Sequence, residues 1–201
     1  YKHRSSIPLQ DTIGGLDVYH PRFVSVPKFL KAGEGKQYLK AINSIVHDIH
    51  KDFDFDLVYM HWTFPDLPVG IAIGNEYNKK TIVTLRGMEA FHEQDNDQRY
   101  EIVAKGLKDV DTIIALSHEL KKKGDELSCD PNKSVVIRNG FYTDQFYFIP
   151  KAESRDHIGM DQIEINILSV GSLIHRKGFD LIVKCIAELK KEEKYKNIRL
   201  Y

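Results

Sequence analysis

The chain has 201 residues, of which 42% are hydrophobic and 29% are charged, a composition typical of a globular protein with a substantial core. Its 29 lysines and arginines balance its 29 aspartates and glutamates, so no overall positive field favours nucleic acid, and an anion would have to bind at a local site. The two cysteines lack metal-ligand spacing, which argues against a zinc site and a disulfide framework and favours a reducing compartment such as the cytoplasm. No apolar run approaches the roughly 20 residues of a membrane span, which argues against a spanning helix.

The first 36 residues are polar and are interrupted by glycine and proline, so they predict little beyond short strands. No apolar strand precedes Gly14-Gly15, and we therefore interpret this pair as a turn and not as a phosphate-binding loop. From Lys36 onward, apolar side chains recur at helical spacing and predict an amphipathic helix. They are Tyr38, Leu39, Ile42, Ile45, Val46 and Ile49.

Short apolar strands alternate with helices in the next hundred residues. Strands are predicted over 56–60, 81–85, 112–116 and 134–137; the first is predicted to be buried, and the second is rich in β-branched side chains. Pro68 suits the first turn of the helix after the first strand, and Ser117 is placed to cap the helix after the third. This alternation predicts an α/β fold with a mostly parallel sheet.

Polar residues follow the first two of these strands, where open α/β sheets bind their ligands. His61 ends the first strand and Arg86-Gly87 ends the second. His61 is therefore either a substrate-facing residue or an imidazole hydrogen-bonded at the edge of the sheet. The run Lys121-Lys122-Lys123, followed by Gly124, is consistent with the end of a helix, where positive charge is stabilising; contact with a membrane surface is the second interpretation.

The alternation breaks after residue 140, where aromatic side chains and then a charged run predict a linker. We expect an N-terminal domain over 1–150, a linker over 151–162 and the beginning of a second domain over 163–201. That second domain opens with a predicted buried strand over 165–170, then Gly171, a short turn with Arg176-Lys177-Gly178, and a helix. A helix N-terminus beside two cations suits a diphosphate; alternatively, the two cations are solvated turn residues.

Four segments together resemble one known family. Residues 170–180 (VGSLIHRKGFD) are similar to the start of the C-terminal domain of family 4 (group 1) glycosyltransferases, which are retaining enzymes of GT-B fold. Residues 138–146 (RNGFYTDQF) resemble the hinge that enters that domain, with Asn139 and Gly140 as the hinge pair. Residues 56–66 and 84–89 resemble two strand-end motifs of the N-terminal domain. The segments follow the order that the family shows.

This resemblance implies two Rossmann-like domains facing across a cleft, both incomplete in this chain, and no cofactor or metal. The donor substrate would be a nucleoside-diphosphate sugar, and the acceptor a carbohydrate or a lipid-linked hydroxyl compound at the inner face of a membrane. The resemblance places the donor phosphates at Gly171, Ser172, Arg176, Lys177 and Gly178. It places His61 and Arg86 toward the transferred sugar, and Gly87 and Glu89 toward the acceptor.

Several positions depart from the family pattern. Ser172 stands where many members have an arginine, so either Arg176 takes over that phosphate contact or phosphate binding is weaker. Arg86 stands where histidine is common, and since a guanidinium does not act as a base near neutral pH, it would serve as a charge clamp. An early glycine-rich loop and a downstream pair of glutamates are absent from the chain, so we expect this chain alone to be inactive.

Three hypotheses follow. The first is a retaining glycosyltransferase of surface polysaccharide or glycoconjugate assembly. The second is a nucleotide-sugar epimerase on the same fold, and the third is a non-catalytic binding subunit derived from it. The sequence leaves the oligomeric state open.

Overall fold

A computed structural model of the protein describes residues 7–23, 33–87 and 98–201. The chain divides into two compact units, Tyr1–Gly140 and Phe141–Tyr201. The division follows directly after Asn139 and Gly140, ten residues before the predicted domain boundary. Residues 151–162, which we predicted to be a linker, belong to the second unit and contain a helix.

The first unit opens with an antiparallel hairpin, β1 Gln10–Ile13 and β2 Leu16–Tyr19, whose turn is the pair Gly14-Gly15. Both glycines have positive φ, 60° and 81°, the left-handed conformations that a two-residue hairpin turn requires. The interpretation of this pair as a turn is therefore confirmed.

A sheet of parallel strands follows, in the spatial order β3-β4-β5-β6. The elements are α1 Glu34–Asp52, β3 Leu57–Met60, α2 Asp66–Tyr77, β4 Lys80–Leu85, α3 Gln98–Asp109, β5 Thr112–Ala115, α4 His118–Ser128 and β6 Ser134–Val136. The predicted parallel α/β arrangement is confirmed, and so is the cap at Ser117, whose Oγ accepts a hydrogen bond from the Leu120 N–H at 3.2 Å.

The core of this unit lies between the helices and one face of the sheet. Successive strand residues point to opposite faces, and Val83, Leu85 and Ile113 point toward the face that α2, α3 and α4 cover, where they share one core with Leu67 and Leu107. All five side chains are fully buried. Helix α1 packs its apolar stripe beside this core, with Ile42 against Val69 and Ile73 of α2.

The opposite face of the sheet is open among the described residues. Leu57 and Tyr59 of β3 are 43% and 45% exposed, and Val135 of β6 is 44% exposed. The prediction that the strand at 56–60 is buried is therefore wrong for Leu57 and Tyr59, because neither belongs to the two core clusters of the described residues. The period of two in the strands places the exposed side chains together.

Gly124 also differs from the sequence prediction. Helix α4 continues to Ser128 and ends at Cys129, whose φ of 59° is left-handed, so Gly124 lies inside the helix and not near its end. A Cβ at Gly124 would lie 2.9 Å from Leu85 Cδ1, so this glycine allows α4 to approach the sheet closely. Lys121 is consequently mid-helix, where its ammonium bonds Asp125 at 2.8 Å.

Asp111 joins the start of β5 to the start of β4. Its Oδ2 accepts hydrogen bonds from the N–H and the hydroxyl of the buried Thr81, both at 2.9 Å, and its Oδ1 accepts one from Lys80 at 2.7 Å. The hydrogen bond from Lys80 and those from Thr81 lower the pKa of the Asp111 carboxyl. The ionised carboxylate thus stabilises the register of two central strands.

We expect Asp111→Ala to lower the free energy of unfolding by about 1.5 kcal/mol at neutral pH, because it leaves the buried Thr81 N–H without its acceptor. A carboxyl whose pKa is lowered by folding stabilises the folded protein at pH values above its pKa in the unfolded chain, which is about 4. This stabilisation is lost as the pH falls through the pKa of the folded state. The difference between the two proteins should therefore shrink below about pH 4 in urea titrations at several pH values. The exposed Asp109→Ala is the control, and a difference that is independent of pH would contradict the assignment.

The second unit contains α5 Lys151–His157, β7 Ile165–Ile167, α6 Phe179–Leu189 and β8 Ile198–Leu200, with β7 and β8 parallel. Strand β7 is shorter than predicted, and the predicted segment is not buried: Ile165 is 44% exposed, and Leu168 and Val170, beyond the end of β7, are 73% and 84% exposed. Only β8 pairs with β7, so the described unit offers too few layers to cover it. The predicted helix face is confirmed, because its members are the less exposed residues of α6. They are Phe179, Ile182, Ile186 and Leu189.

Candidate functional site

His61 and Arg86, predicted from two separate strand ends, lie together. Strands β3 and β4 are parallel neighbours with Met60 opposite Val83, so the residues that follow them lie at the same edge of the sheet. Arg86 Nε donates a hydrogen bond to the His61 carbonyl oxygen at 2.9 Å, and one terminal nitrogen lies 3.1 Å from His61 Nδ1. Both residues are exposed. The guanidinium is thus engaged with His61.

Gly87 continues this edge with φ of 89°, a left-handed conformation that glycine adopts without a steric penalty. Glu89, the other residue predicted to face the acceptor, lies outside the described residues.

Asp66 was not singled out by the sequence, yet it lies close to His61. It is the first residue of α2. Burial raises the pKa of its carboxyl, whereas a hydrogen bond from the Trp62 N–H and the nearby His61 partly offset this rise. Burial, and secondarily the charge of Asp66, raises the pKa of Tyr38 on α1. A partly buried carboxyl in a cleft is a recurrent feature of functional sites. The available signal was the acidic residue in the first turn of a helix after a strand end.

Asp66 and Tyr38 line a cavity of about 720 Å³ beside the hairpin. Its wall also includes Tyr19, Phe23 and Pro65, so aromatic surface and a carboxylate meet in one concave region. Such a combination of apolar walls and few polar groups is usual in small-molecule sites. Asp66, which interacts electrostatically with His61, is thus the link between this concave surface and the strand-end residues.

In the second unit, Lys177 and Gly171 lie together in the loop that follows β7. A Cβ placed on Gly171 would lie 3.7 Å from Lys177 Cδ and 3.5 Å from the Phe179 ring. The aliphatic part of Lys177 therefore runs along Gly171, and the residue is exposed. Since the next residues begin α6, this arrangement brings a lysine, a glycine and a helix N-terminus into one loop.

The amide groups of this loop divide into two kinds. The Lys177 and Gly178 N–H groups donate within the turn, to Ile174 and His175 carbonyls, both at 2.9 Å. The first intrahelical bond of α6 comes from Ile182 to Gly178, so the N–H groups at the start of the helix have no intrahelical partner. An anion here would meet the helix N-terminus and the Lys177 ammonium, but not the amides of Lys177 and Gly178.

Gly178 has φ of 68° and directly precedes α6, so a side chain at this position would be strained. Ser172 is exposed, and its carbonyl accepts a hydrogen bond from the Ile174 N–H at 2.8 Å. Arg176 belongs to the 3₁₀ turn His175–Lys177, while its side chain lies outside the described part of the structure. Whether it replaces the arginine expected at Ser172 stays a prediction.

Among the described residues, no helix is both long enough and apolar enough to cross a membrane. The same part of the chain contains no group of three or more histidine, cysteine, aspartate or glutamate side chains arranged to hold a metal ion.

A family model described as Glycosyltransferase Family 4 matches residues 5–145. A protein of Methanocaldococcus jannaschii described as "Uncharacterized glycosyltransferase MJ1178" is 26% identical over 160 residues, which are 80% of this chain and 42% of that protein. The chain therefore spans less than half the length of this relative.

Solved structures of the Anabaena protein Alr3699/HepE are similar in fold. The complex with UDP and glucose matches with a TM-score of 0.62 at 15% identity, over 89% of this chain and 45% of that one. The complex with UDP-glucose matches with a TM-score of 0.61 at 14% identity, over 84% of this chain and 43% of that one. The fold corresponds to about half of a GT-B glycosyltransferase chain.

Proposed function

Because the chain belongs to glycosyltransferase family 4, we propose that the protein transfers a hexosyl group from a nucleoside-diphosphate sugar to an acceptor hydroxyl, with retention of the anomeric configuration. The observation that carries the proposal in the second unit is the loop in which Lys177 lies along Gly171 at the start of α6. A fold relative that binds UDP-glucose supports a UDP-hexose as the first donor to test.

In the proposed reaction, the bond between the sugar C1 and the diphosphate oxygen breaks and a bond from the acceptor oxygen to C1 forms on the same face. The acceptor proton passes to the departing diphosphate, so that no protein base is required. Lys177 and the N-terminus of α6 stabilise the negative charge that develops on the leaving group. Donors already aimed at a developing charge can contribute about 3 kcal/mol each.

The first unit would supply the sugar-facing and acceptor-facing groups. His61 has a ring nitrogen, Nε2, that takes part in no hydrogen bond among the described residues, and this nitrogen can contact a sugar oxygen. Gly87 and Glu89 are proposed acceptor-side residues. The acceptor is proposed to be a carbohydrate or a lipid-linked compound of surface polysaccharide or glycoconjugate assembly, on the cytoplasmic side of a membrane.

The test uses the full-length protein with UDP-glucose and GDP-mannose in parallel, with and without mixed oligosaccharide or polyprenyl-phosphate-sugar acceptors. Binding is measured by calorimetry, and release of UDP or GDP by a coupled assay. We expect binding of one nucleotide sugar and its slow hydrolysis without acceptor, and NMR of any transfer product should show the donor's anomeric configuration. A full-length protein that neither binds nor hydrolyses a nucleotide sugar would contradict the proposal, and a donor epimerised without acceptor would indicate an epimerase.

A further inference from the structure

Within the part of the chain that the structure describes, the guanidinium of Arg86 makes two contacts, and both are to His61. Its Nε donates to the His61 carbonyl oxygen at 2.9 Å, and its terminal nitrogen contacts His61 Nδ1 at 3.1 Å. The two acceptors belong to the backbone and to the ring of one histidine. A planar fork that bonds both therefore restrains the ring relative to its own backbone.

The second contact also determines where the ring carries its proton. A guanidinium has only N–H donors and no acceptor, so His61 Nδ1 must accept in this contact. A neutral imidazole that accepts through Nδ1 carries its hydrogen on Nε2. The ring consequently presents Nε2–H as a donor on the side away from Arg86.

The ring has a further support from its own strand. The Tyr59 and His61 ring centres are 4.3 Å apart at an angle of 45°, and the Tyr59 hydroxyl lies 2.7 Å from Thr84 Oγ1. Tyr59 stands opposite Ile82 in the register, so the bonds Tyr59–Thr84 and His61–Arg86 both reach two residues further along the neighbouring strand. Two diagonal contacts of the same geometry thus hold the side chains of Tyr59 and His61 in place, and both come from residues at the end of β4.

From this geometry we infer that Arg86 is a positioning residue: it orients His61 so that Nε2–H donates a hydrogen bond to an oxygen atom of the bound sugar. The inference rests on the proposed function for the identity of the ligand. It replaces the expectation that Arg86 clamps the charge of the substrate, because both observed hydrogen bonds of the guanidinium are made to His61.

A double-mutant cycle in the full-length protein separates the two roles, because residues that act through one another have non-additive effects. We expect Arg86→Met to lower kcat/KM for the nucleotide sugar about tenfold, the size of one lost hydrogen bond to a charged or polar transition state. In the His61→Ala background the same change should cost less than about twofold. Equal losses in both backgrounds would overturn the inference.

Arg86→Lys is the matched variant, because lysine keeps the charge but loses the fork that reaches both acceptors. We expect it to resemble Arg86→Met, with the loss in kcat more than in KM. If Arg86→Lys retained full activity, the positive charge at this position would be sufficient for activity. Arg86 would then act as a charge clamp on the substrate and not as a positioning residue.

A second measurement does not depend on catalysis. In ¹⁵N-labelled protein at a pH well above the ordinary imidazole pKa of about 6.5, we expect His61 to show one fixed tautomer, with Nδ1 unprotonated and Nε2 protonated. Arg86→Met should shift these signals toward a mixture, whereas a spectrum unchanged by Arg86→Met, or an Nδ1 that carries the proton, would overturn the inference. If the wild-type protein transfers no sugar, the proposed function fails, and the NMR result still decides whether Arg86 orients His61.

Discussion

Replacing Lys177 by alanine is expected to weaken UDP binding by about 30-fold, equivalent to about 2 kcal/mol, because it removes a charge-assisted hydrogen bond to a diphosphate. Lys177 is the described cation that lies along Gly171 beside the N-terminus of α6. Transfer should fall by more than binding, since the negative charge of the leaving group grows in the transition state. Calorimetric titration of the full-length protein with UDP measures the first effect, and turnover at saturating donor measures the second.

Lys184→Ala is the matched control for Lys177→Ala. Lys184 lies on the same helix and is exposed, and its ammonium is 3.9 Å from Asp180 in an exposed pair that contributes little. We expect UDP affinity to change less than twofold in Lys184→Ala. Equal affinities of Lys177→Ala and wild type for UDP would show that the diphosphate does not bind at Lys177. That result would contradict the role proposed for the loop of the second unit.

Replacing Arg155 by methionine is expected to destabilise the second unit by about 3 kcal/mol, because three backbone carbonyl oxygens lose the charged donor that a buried guanidinium provides. Arg155 is only 7% exposed, and its guanidinium bonds the Asp161 carbonyl at 3.1 Å, the Glu164 carbonyl at 2.8 Å and the Gln162 carbonyl. One side chain thus orders the segment that leads into β7, which in turn carries the loop with Lys177.

Hydrogen exchange provides a local measurement of this effect. The Ile165 and Tyr201 N–H groups bond across the β7–β8 pair, to Asn197 and Ile167 carbonyls at 3.2 and 2.9 Å. In Arg155→Met their protection should fall about 100-fold, which corresponds to about 3 kcal/mol. Lys191→Met is the control, since Lys191 is 70% exposed and pairs with the similarly exposed Glu188 at the surface, where an ion pair contributes about 0–1 kcal/mol. Comparable losses in the two variants would mean that the bonds from Arg155 to the three carbonyls are not what stabilises this segment.

The two sites relate differently to the sequence. The candidate phosphate loop was recognisable because its parts are contiguous: a strand, glycines, a basic pair and a helix within residues 165–180. The pair His61–Arg86 joins residues 25 positions apart, and their proximity depends on the register of β3 and β4. Sequence periodicity predicts each strand but not the alignment of one with the other.

The sequence by itself determined the alternation of strands and helices, the turn at Gly14-Gly15, the cap at Ser117 and the order of the family motifs, because each depends on residues close together in the chain. Tertiary structure alone decided that Asp111 braces β4, that Asp66 is partly buried and that Arg155 organises the entry to β7. A carboxylate or guanidinium in a polar stretch has the same local pattern whether solvent or protein surrounds it. Only packing between distant segments determines its desolvation and its hydrogen-bond partners, and these decide what the group does.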